Sequence, residues 1–394
     1  MTRPLKIAII AGEESGDLLG ADLVAALRAN RPDRNIALSG VGGENLRGQG
    51  LQSLFDPSEI ALMGITAILA KLPRLISLIG RTAAHIVAEK PDCLIIIDNP
   101  DFTHRVARKV RSADPSIPII NYVCPSVWAW RPGRAKAMAS YIDHVLAILP
   151  FEPRVLSQLG GPPATFVGHR LAQDARILEA AGDQSRREAM RQAGGRKTIL
   201  VLPGSRGGEV RRHAQVFGET LGLLKQRGME LEALLPVTDH VAPLVHSLVK
   251  DWPVQPTLIE GADAKYAAFA RADAAIAASG TVTFELALCG VPLVSSYRLD
   301  RIAQFIGERF VASWTASLPN LIADAPVVPE FYNAHVRASM LARHVEAFAS
   351  PGLVRSAMLE GYGRIRDAMV TKTPSGHLAA GIVLRYAGKS GAAV

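Results

Sequence analysis

The chain has 394 residues, 48% hydrophobic and 20% charged, with 25 prolines and 34 glycines. That balance excludes a disordered, collagen-like or coiled-coil chain, and the length calls for two or three domains. Forty-four Lys and Arg against 36 Asp and Glu leave a net charge of +8 with no polybasic tail, which suits a phosphate or an acidic membrane surface better than nucleic acid.

The opening KIAIIAG is a short apolar run ending in glycine, and ESGDLLGADLVAALRAN carries Leu18, Leu19, Leu23, Ala26 and Leu27 at helical spacing. The chain therefore begins strand–loop–helix, with Ser15 or Asp17 available as N-cap. Glu13, Glu14 and Asp17 follow the apolar run too soon for a signal peptide. The loop GEESGD lacks GxGxxG spacing and is acidic, so it suits sugar hydroxyls better than a pyrophosphate. Further strands are expected at IALSGV, CLIIID (93–98), IPIINYV (117–123), HVLAILP (144–150) and FVGH. Residues Ile60–Gly80 are strongly apolar, but Lys71, Pro73 and Arg74 interrupt them, so a spanning helix is not expected. A core helix, an apolar groove and a membrane-interface helix all stay open for this stretch.

CLIIIDNPDF sets Asp98 directly after an apolar run. A carboxylate at a strand's carboxyl end is placed to take a proton from an attacking hydroxyl. The competing reading is that Asp98 caps the next helix, with Asp101 solvated; Asp98 is preferred to Asp101 because the first side chain after a strand lies deepest. NYVCPSVWAWRPGRAKAM puts Trp128 and Trp130 beside Arg131, Arg134 and Lys136, which reads either as an aromatic–cation surface for a sugar and a phosphate or as a buried structural loop.

After Gly160-Gly161-Pro162-Pro163 and a charged helical stretch at 183–197, the pattern restarts with TILVLPG, LEALLPV, PTLIEG, AAIAASG and VPLVSSY. Strands alternating with helices in both halves imply two α/β units, each with a mainly parallel sheet. The expected division is 1–170, 171–350 and a helical tail 351–394. In LPGSRGGEV, Ser205 and Arg206 project from a glycine-rich turn, and arginine offers a planar fork to phosphate oxygens. In SGTVTFE a strand runs through Ser279-Gly280-Thr281 straight into a helix, with Thr281 able to cap an anion-binding N-terminus. Glu285 lies four residues on, either to accept from a ribose diol or as an exposed Glu on a capped helix. Two such loops in one domain point to a diphosphate. There is no GxxxxGK[ST], GxSxG, HExxH or D-x-D, so neither a P-loop NTPase nor a carboxylate-bound metal is suggested. Cys93, Cys124 and Cys289 form no CxxC pair, which fits a reduced compartment.

In order along the chain, GEESGDLLGADL, LMGI (62–65), DNPDF, YVCPSVWAWR, LPFE, FVGH, LPGSRGGEV, SGTVTFE and SLPN (317–320) resemble the bacterial lipid-A-disaccharide synthase family, from about residue 7 to about residue 320. The resemblance implies an α/β GT-B fold, with two Rossmann-like domains facing each other across a cleft. It implies transfer of 2,3-diacylglucosamine from UDP to 2,3-diacylglucosamine 1-phosphate (lipid X), with inversion, giving a β-1,6 disaccharide and UDP. Carried over by residue, Ser205, Arg206, Ser279, Gly280, Thr281 and Glu285 would hold UDP and Asp98 would be the general base. Ser15, Met63, Trp128, Arg131 and Asn320 would line the substrate site, with no metal and no cofactor. A cytoplasmic protein on the inner-membrane face, a homodimer, and final helices packing back on the N-terminal domain or a dimer partner are implied too. Glu14, Asn99 and Arg170 depart from the family pattern. The rival within the fold is another UDP-sugar GT-B transferase or epimerase with a non-lipid substrate; an NAD oxidoreductase lacks its fingerprint here, and a sensor would lack the base.

Overall fold

A computed structural model describes residues 3–60, 65–192, 194–299 and 313–390. The chain divides into two units, Met1–Arg170 with Thr371–Val394, and Leu171–Val370. Each holds one six-stranded sheet in which every pairing is parallel.

In the first unit the strands are β1 (Leu5–Ala11), β2 (Ile36–Val41), β3 (Cys93–Ile97), β4 (Ile119–Tyr122), β5 (His144–Ala147) and β6 (Ala164–Phe166), in the order β2-β1-β3-β4-β5-β6. The helices between them are α1 (Glu14–Asn30), α2 (Glu44–Gly48), α3 (Ile65–Glu89), α4 (Pro100–Ala113), α5 (Gly133–Met138) and α6 (Glu152–Gln158). Parallel sheets covered on both faces need apolar residues on both, which is why these strands read as continuous hydrophobic runs. Side-chain alternation then divides them: Ala8, Ile10, Leu94 and Ile96 join one core, and Ile7, Ile9, Ile95 and Ile97 the other. Helix α3 continues through Pro73 and turns Leu78, Ile79, Ala83 and Ile86 into the first core. Leu72 and Ile76 of the same helix stay exposed.

In the second unit the strands are β7 (Lys197–Leu202), β8 (Leu231–Val237), β9 (Thr257–Glu260), β10 (Ala274–Ala278), β11 (Leu293–Tyr297) and β12 (Glu330–Tyr332), in the order β12-β11-β10-β7-β8-β9. Its helices are α7 (Ala175–Ala189), α8 (Gly207–Gln226), α9 (Ala242–Val249), α10 (Ala262–Arg271), α11 (Thr281–Cys289), α12 (Leu318–Ala323), α13 (Ala338–Ala349) and α14 (Leu353–Met369). The charged stretch expected as a helix at 183–197 is shifted: α7 ends at Ala189, and Lys197 already belongs to β7.

The tail divides rather than acting as one piece. Met358, Tyr362 and Ile365 of α14 are buried within the second unit. The final helix, Ser375–Ser390, packs on α1, where Ala379, Ala380 and Val383 join Leu23 and Leu27 in the core of the first unit. Among the described residues no helix is long and apolar enough to cross a membrane.

Candidate active site

Open parallel sheets bind ligands at the carboxyl ends of the two strands where the chain reverses its direction across the sheet, because the loops there diverge and leave a crevice. In the second unit the reversal lies between β7 and β10, whose register pairs Leu202 with Ala277. The two glycine-bearing turns read from the sequence both leave this point. The first runs from Pro203 to Arg206, where α8 starts. Gly204 has φ +122°, and a Cβ on it would sit 2.6 Å from the Cβ of Glu209, so glycine is required for the sharp exit. Ser205 and Arg206 are exposed, Arg206 donating to Glu209 at 3.3 Å, and His240 Nε2 lies 2.8 Å from the Ser205 carbonyl.

The second turn is Ser279-Gly280, with α11 beginning at Thr281. Gly280 is the N-cap and Thr281 the first helical residue, so the cap expected of Thr281 is absent; Thr283 instead donates its hydroxyl to the Gly280 carbonyl at 2.8 Å. A helix N-terminus with no side-chain cap, beside an exposed Gly280 and Thr281, is suited to an anion. Ser279 Oγ donates to the Ala316 carbonyl at 3.2 Å, tying the turn to the loop before α12. Glu285 is not the exposed side chain of the simpler reading. It is 8% exposed, and its Oε2 pairs with Lys265 Nζ and accepts from the Tyr266 hydroxyl at 3.2 Å. Asn320 was expected to line the site, but its amide is buried and engaged. It accepts from Val328 N at 2.7 Å and donates to the Val328 carbonyl at 2.9 Å and to Glu330 at 3.2 Å.

In the first unit the reversal lies between β1 and β3, with Ala11 paired to Ile97. The acidic loop after β1 and Asp98 after β3 therefore meet at its carboxyl end. Asp98 does not cap α4; the N-cap is Asn99. Asp98 and Asn99 both take left-handed backbone conformations, φ +51° and +44°. Burial pushes the Asp98 carboxyl above the usual range, opposed by the Asn99 N–H that donates to Oδ1 at 2.9 Å. Asp101 is exposed and pairs with Arg134 at 3.5 Å. Ser15 lies exposed on the first turn of α1.

Neither Ser15 nor Asp17 is the N-cap of α1, which is Glu13. Asp17 turns away and is buried. It accepts from Gly43 N at 2.7 Å, Asn45 N at 2.8 Å, Asn45 Nδ2 at 3.0 Å and Leu46 N at 3.2 Å, so it caps α2 from outside. Met63 lies outside the described residues.

Trp128 and Arg131 are split by the loop that carries them. Trp128 stacks edge-on against Phe151, 5.5 Å between centroids, and its indole N–H donates to Glu152 at 3.4 Å. Arg131 lies over the neighbouring Trp130, 4.1 Å from the ring centre. Glu152 was passed over in the sequence beyond its place in LPFE. It is buried, accepts from Ile148 N and Leu149 N, and burial lifts its carboxyl to about 8 despite those bonds and the Trp128 N–H. Lys265 was missed as well, because nothing in ADAKYAAF marks a partner twenty residues on.

A family model described as lipid-A-disaccharide synthetase matches residues 7–350. The chain belongs to the lipid-A-disaccharide synthase family. Curated relatives of that name include one from Rhodopseudomonas palustris, 47% identical over 381 residues that cover 96% of this chain and 95% of the relative. Another, from Bradyrhizobium diazoefficiens, is 42% identical and covers 96% of both chains. Among solved structures, a UDP co-structure of S. aureus MnaA has a TM-score of 0.61 at 13% identity, covering 99% of this chain and 98% of that one. Acinetobacter baumannii MurG has a TM-score of 0.56 at 14% identity, covering 97% and 100%. These two likenesses speak for the fold, which is GT-B, and family membership makes the chain a UDP-sugar glycosyltransferase of lipid A synthesis.

Proposed function

We propose that this chain transfers 2,3-diacylglucosamine from its UDP derivative to 2,3-diacylglucosamine 1-phosphate, with inversion, and that the two switch points divide the work. The observation that carries the proposal is the shape of the second unit's switch point, where two glycine turns and two helix N-termini leave adjacent strands. There the diphosphate would lie against the N-terminus of α11 and that of α8, with the Arg206 fork on its oxygens and Ser205, Ser279, Gly280 and Thr281 around it. Glu285, held through Oε2, would accept from a ribose hydroxyl through Oε1. Asn320 acts indirectly, its Nδ2 donating at 3.4 Å to Thr315 Oγ1 in the loop that Ser279 bonds.

Asp98 would take the proton from the acceptor 6-hydroxyl as that oxygen attacks the anomeric carbon. The bond from that carbon to the diphosphate oxygen breaks, the electron pair leaves with UDP, and attack from the opposite face gives the β linkage. Arg206 and the helix N-termini would stabilise the charge gathering on the leaving diphosphate. Ser15 and the Trp128–Arg131 loop are proposed to hold the acceptor sugar and its phosphate, with the stacked Trp130–Arg131 pair as the exposed part. Leu72 and Ile76, exposed on amphipathic α3, are proposed to meet the acyl chains or an anionic membrane surface. Leu72→Asp should weaken binding to vesicles containing anionic lipid while leaving UDP binding intact; unchanged vesicle binding by the folded variant would remove this part of the proposal.

The deciding experiment incubates the purified protein with UDP-2,3-diacylglucosamine and lipid X and follows products by mass spectrometry. Disaccharide 1-phosphate and UDP in equal amounts are expected. An epimerised UDP-sugar with no disaccharide would refute the reading in favour of the non-lipid alternative.

A further inference from the structure

An Asn at a helix N-cap ordinarily turns its side chain inward and accepts from the backbone N–H two or three residues on. Asn99 does not. It is the N-cap of α4, with its carbonyl taking Phe102 N at 3.1 Å and Thr103 N at 3.0 Å, but its side chain makes no capping bond. The amide points the other way, and Nδ2 donates to the carbonyl of Ile60 at 3.0 Å, across 39 residues. Ile60 is itself fixed, 4% exposed in the first unit's core. Gly12 closes the arrangement from the third side: a Cβ there would lie 2.8 Å from Asn99 Nδ2 and 2.9 Å from Ile60 Cδ1. The loop after β1, the end of β3 and the turn before α3 are thus interlocked around one amide.

That amide sits next to the carboxylate of interest. Two consecutive left-handed residues other than glycine are strained, and such strain persists only where surrounding bonds over-determine it. Here the bonds are Asp98 N to the Tyr122 carbonyl at 3.2 Å, Thr103 Oγ1 to the Asp98 carbonyl at 2.8 Å, and the Asn99 tether. The Asn99 backbone N–H, aimed by the same conformation, bonds Asp98 Oδ1 and selects one orientation of the carboxylate.

We infer that Asn99 is a positioning residue for Asp98, its side-chain amide diverted from helix capping to the Ile60 carbonyl so that the carboxylate keeps one orientation at the end of β3. The inference rests on the reading of Asp98 as general base and adds to it a residue that touches no reacting atom. Loss of the tether releases the Asp98–Asn99 pair toward water. A carboxylate in place of the amide repels both the Ile60 carbonyl and Asp98.

The test uses two variants that both tolerate the left-handed conformation, Asn99→Gly and Asn99→Asp, with Asp98→Asn as the reference. Each full-length variant is checked for folding by circular dichroism and assayed across pH with UDP-2,3-diacylglucosamine and lipid X. Asn99→Gly should lower kcat about tenfold with the donor KM changed less than about twofold, the pattern of misplacement rather than lost binding. Its acidic midpoint should fall, because a better hydrated carboxyl titrates lower. Asn99→Asp should also lower kcat, but its acidic midpoint should rise, because a like charge disfavours ionisation of Asp98. Opposite movement of the two midpoints supports the inference, and a merely structural Asn99 would not produce it. Midpoints that stay put, or move together, overturn it. Should Asp98→Asn retain activity, the base reading itself fails; should Asp98→Asn be inactive while Asn99→Gly behaves as the parent, only the role of Asn99 fails.

Discussion

The two switch points share a topology and differ in almost everything else. The second unit's is open: Ser205, Arg206, Gly280 and Thr281 are exposed, glycines shape the turns, and backbone N–H groups at two helix starts supply the polarity. The first unit's is closed: Asp98 is half-buried in a left-handed backbone, and Asp17 and Asn99 spend their side chains on neighbouring loops. A site that binds a diphosphate needs approach and positive potential, which bare backbone provides. A site that moves a proton needs one oxygen in one place, which takes buried, crowded side chains.

The sharpest way to break this contrast is Asp98→Asn, which keeps the shape and the left-handed conformation but removes the proposed base. Disaccharide formation should fall about a thousandfold. UDP affinity, measured by calorimetry, should stay as it was; a parallel loss of UDP binding would mean that the first unit's carboxylate also serves the nucleotide. Asp17→Ala comes next and tests the closed site's construction. It removes the acceptor for four donors, three of them backbone N–H groups around the start of α2, so unfolding in urea should show about 2–3 kcal/mol less stability. The open site should answer the other way. Arg206→Ala removes an exposed side chain and should leave stability within about 0.5 kcal/mol of the parent while weakening UDP about tenfold or more. A destabilised Arg206→Ala with unchanged UDP affinity would erase the distinction.

The same contrast decides what the sequence made legible. Strands buried on both faces write themselves as unbroken apolar runs, and the expected ones form except at FVGH, where β6 lies earlier, at Ala164–Phe166, and shares only Phe166; β12 escaped because it is three residues, Glu-Phe-Tyr, at the sheet's edge and only partly buried. Glycine turns after strands are also local, so Ser205, Arg206 and Ser279–Thr281 were readable, and Asp98 stood out as the first residue past an apolar run. The holding interactions were not readable, because their partners are far along the chain: Asp17 with Gly43, Asn99 with Ile60, Glu285 with Lys265, Trp128 with Glu152. Residue type offered Asp17 as the cap of α1 and left Glu285 open between a ribose acceptor and an exposed Glu; tertiary partners moved Asp17 to α2 and buried Glu285. Local chemistry shows where a ligand goes, and distant pairing shows which side chain is free to meet it.

The smallest predicted effect follows from Asp98 itself. Its carboxyl is raised in the folded protein by burial, so folding favours the protonated form. The sign is then fixed: that favourable contribution is fully present below the unfolded carboxyl value and is lost as pH rises through the folded one, leaving a buried charge at neutral pH. Asp98→Asn removes the charge, so the variant that loses activity should be slightly more stable than the parent at pH 7, by about 1 kcal/mol, with the gap closing in acid. The activity of the parent should fall on the acid side at a midpoint above the ordinary carboxylate range, because the base works only when ionised. Thermal unfolding of both proteins across pH checks the first statement, and kcat/KM across pH the second. A stability gap that widens in acid would show that Asp98 gains from its ionised form in the fold. The closed site would then be built to hold a charge instead of bearing one.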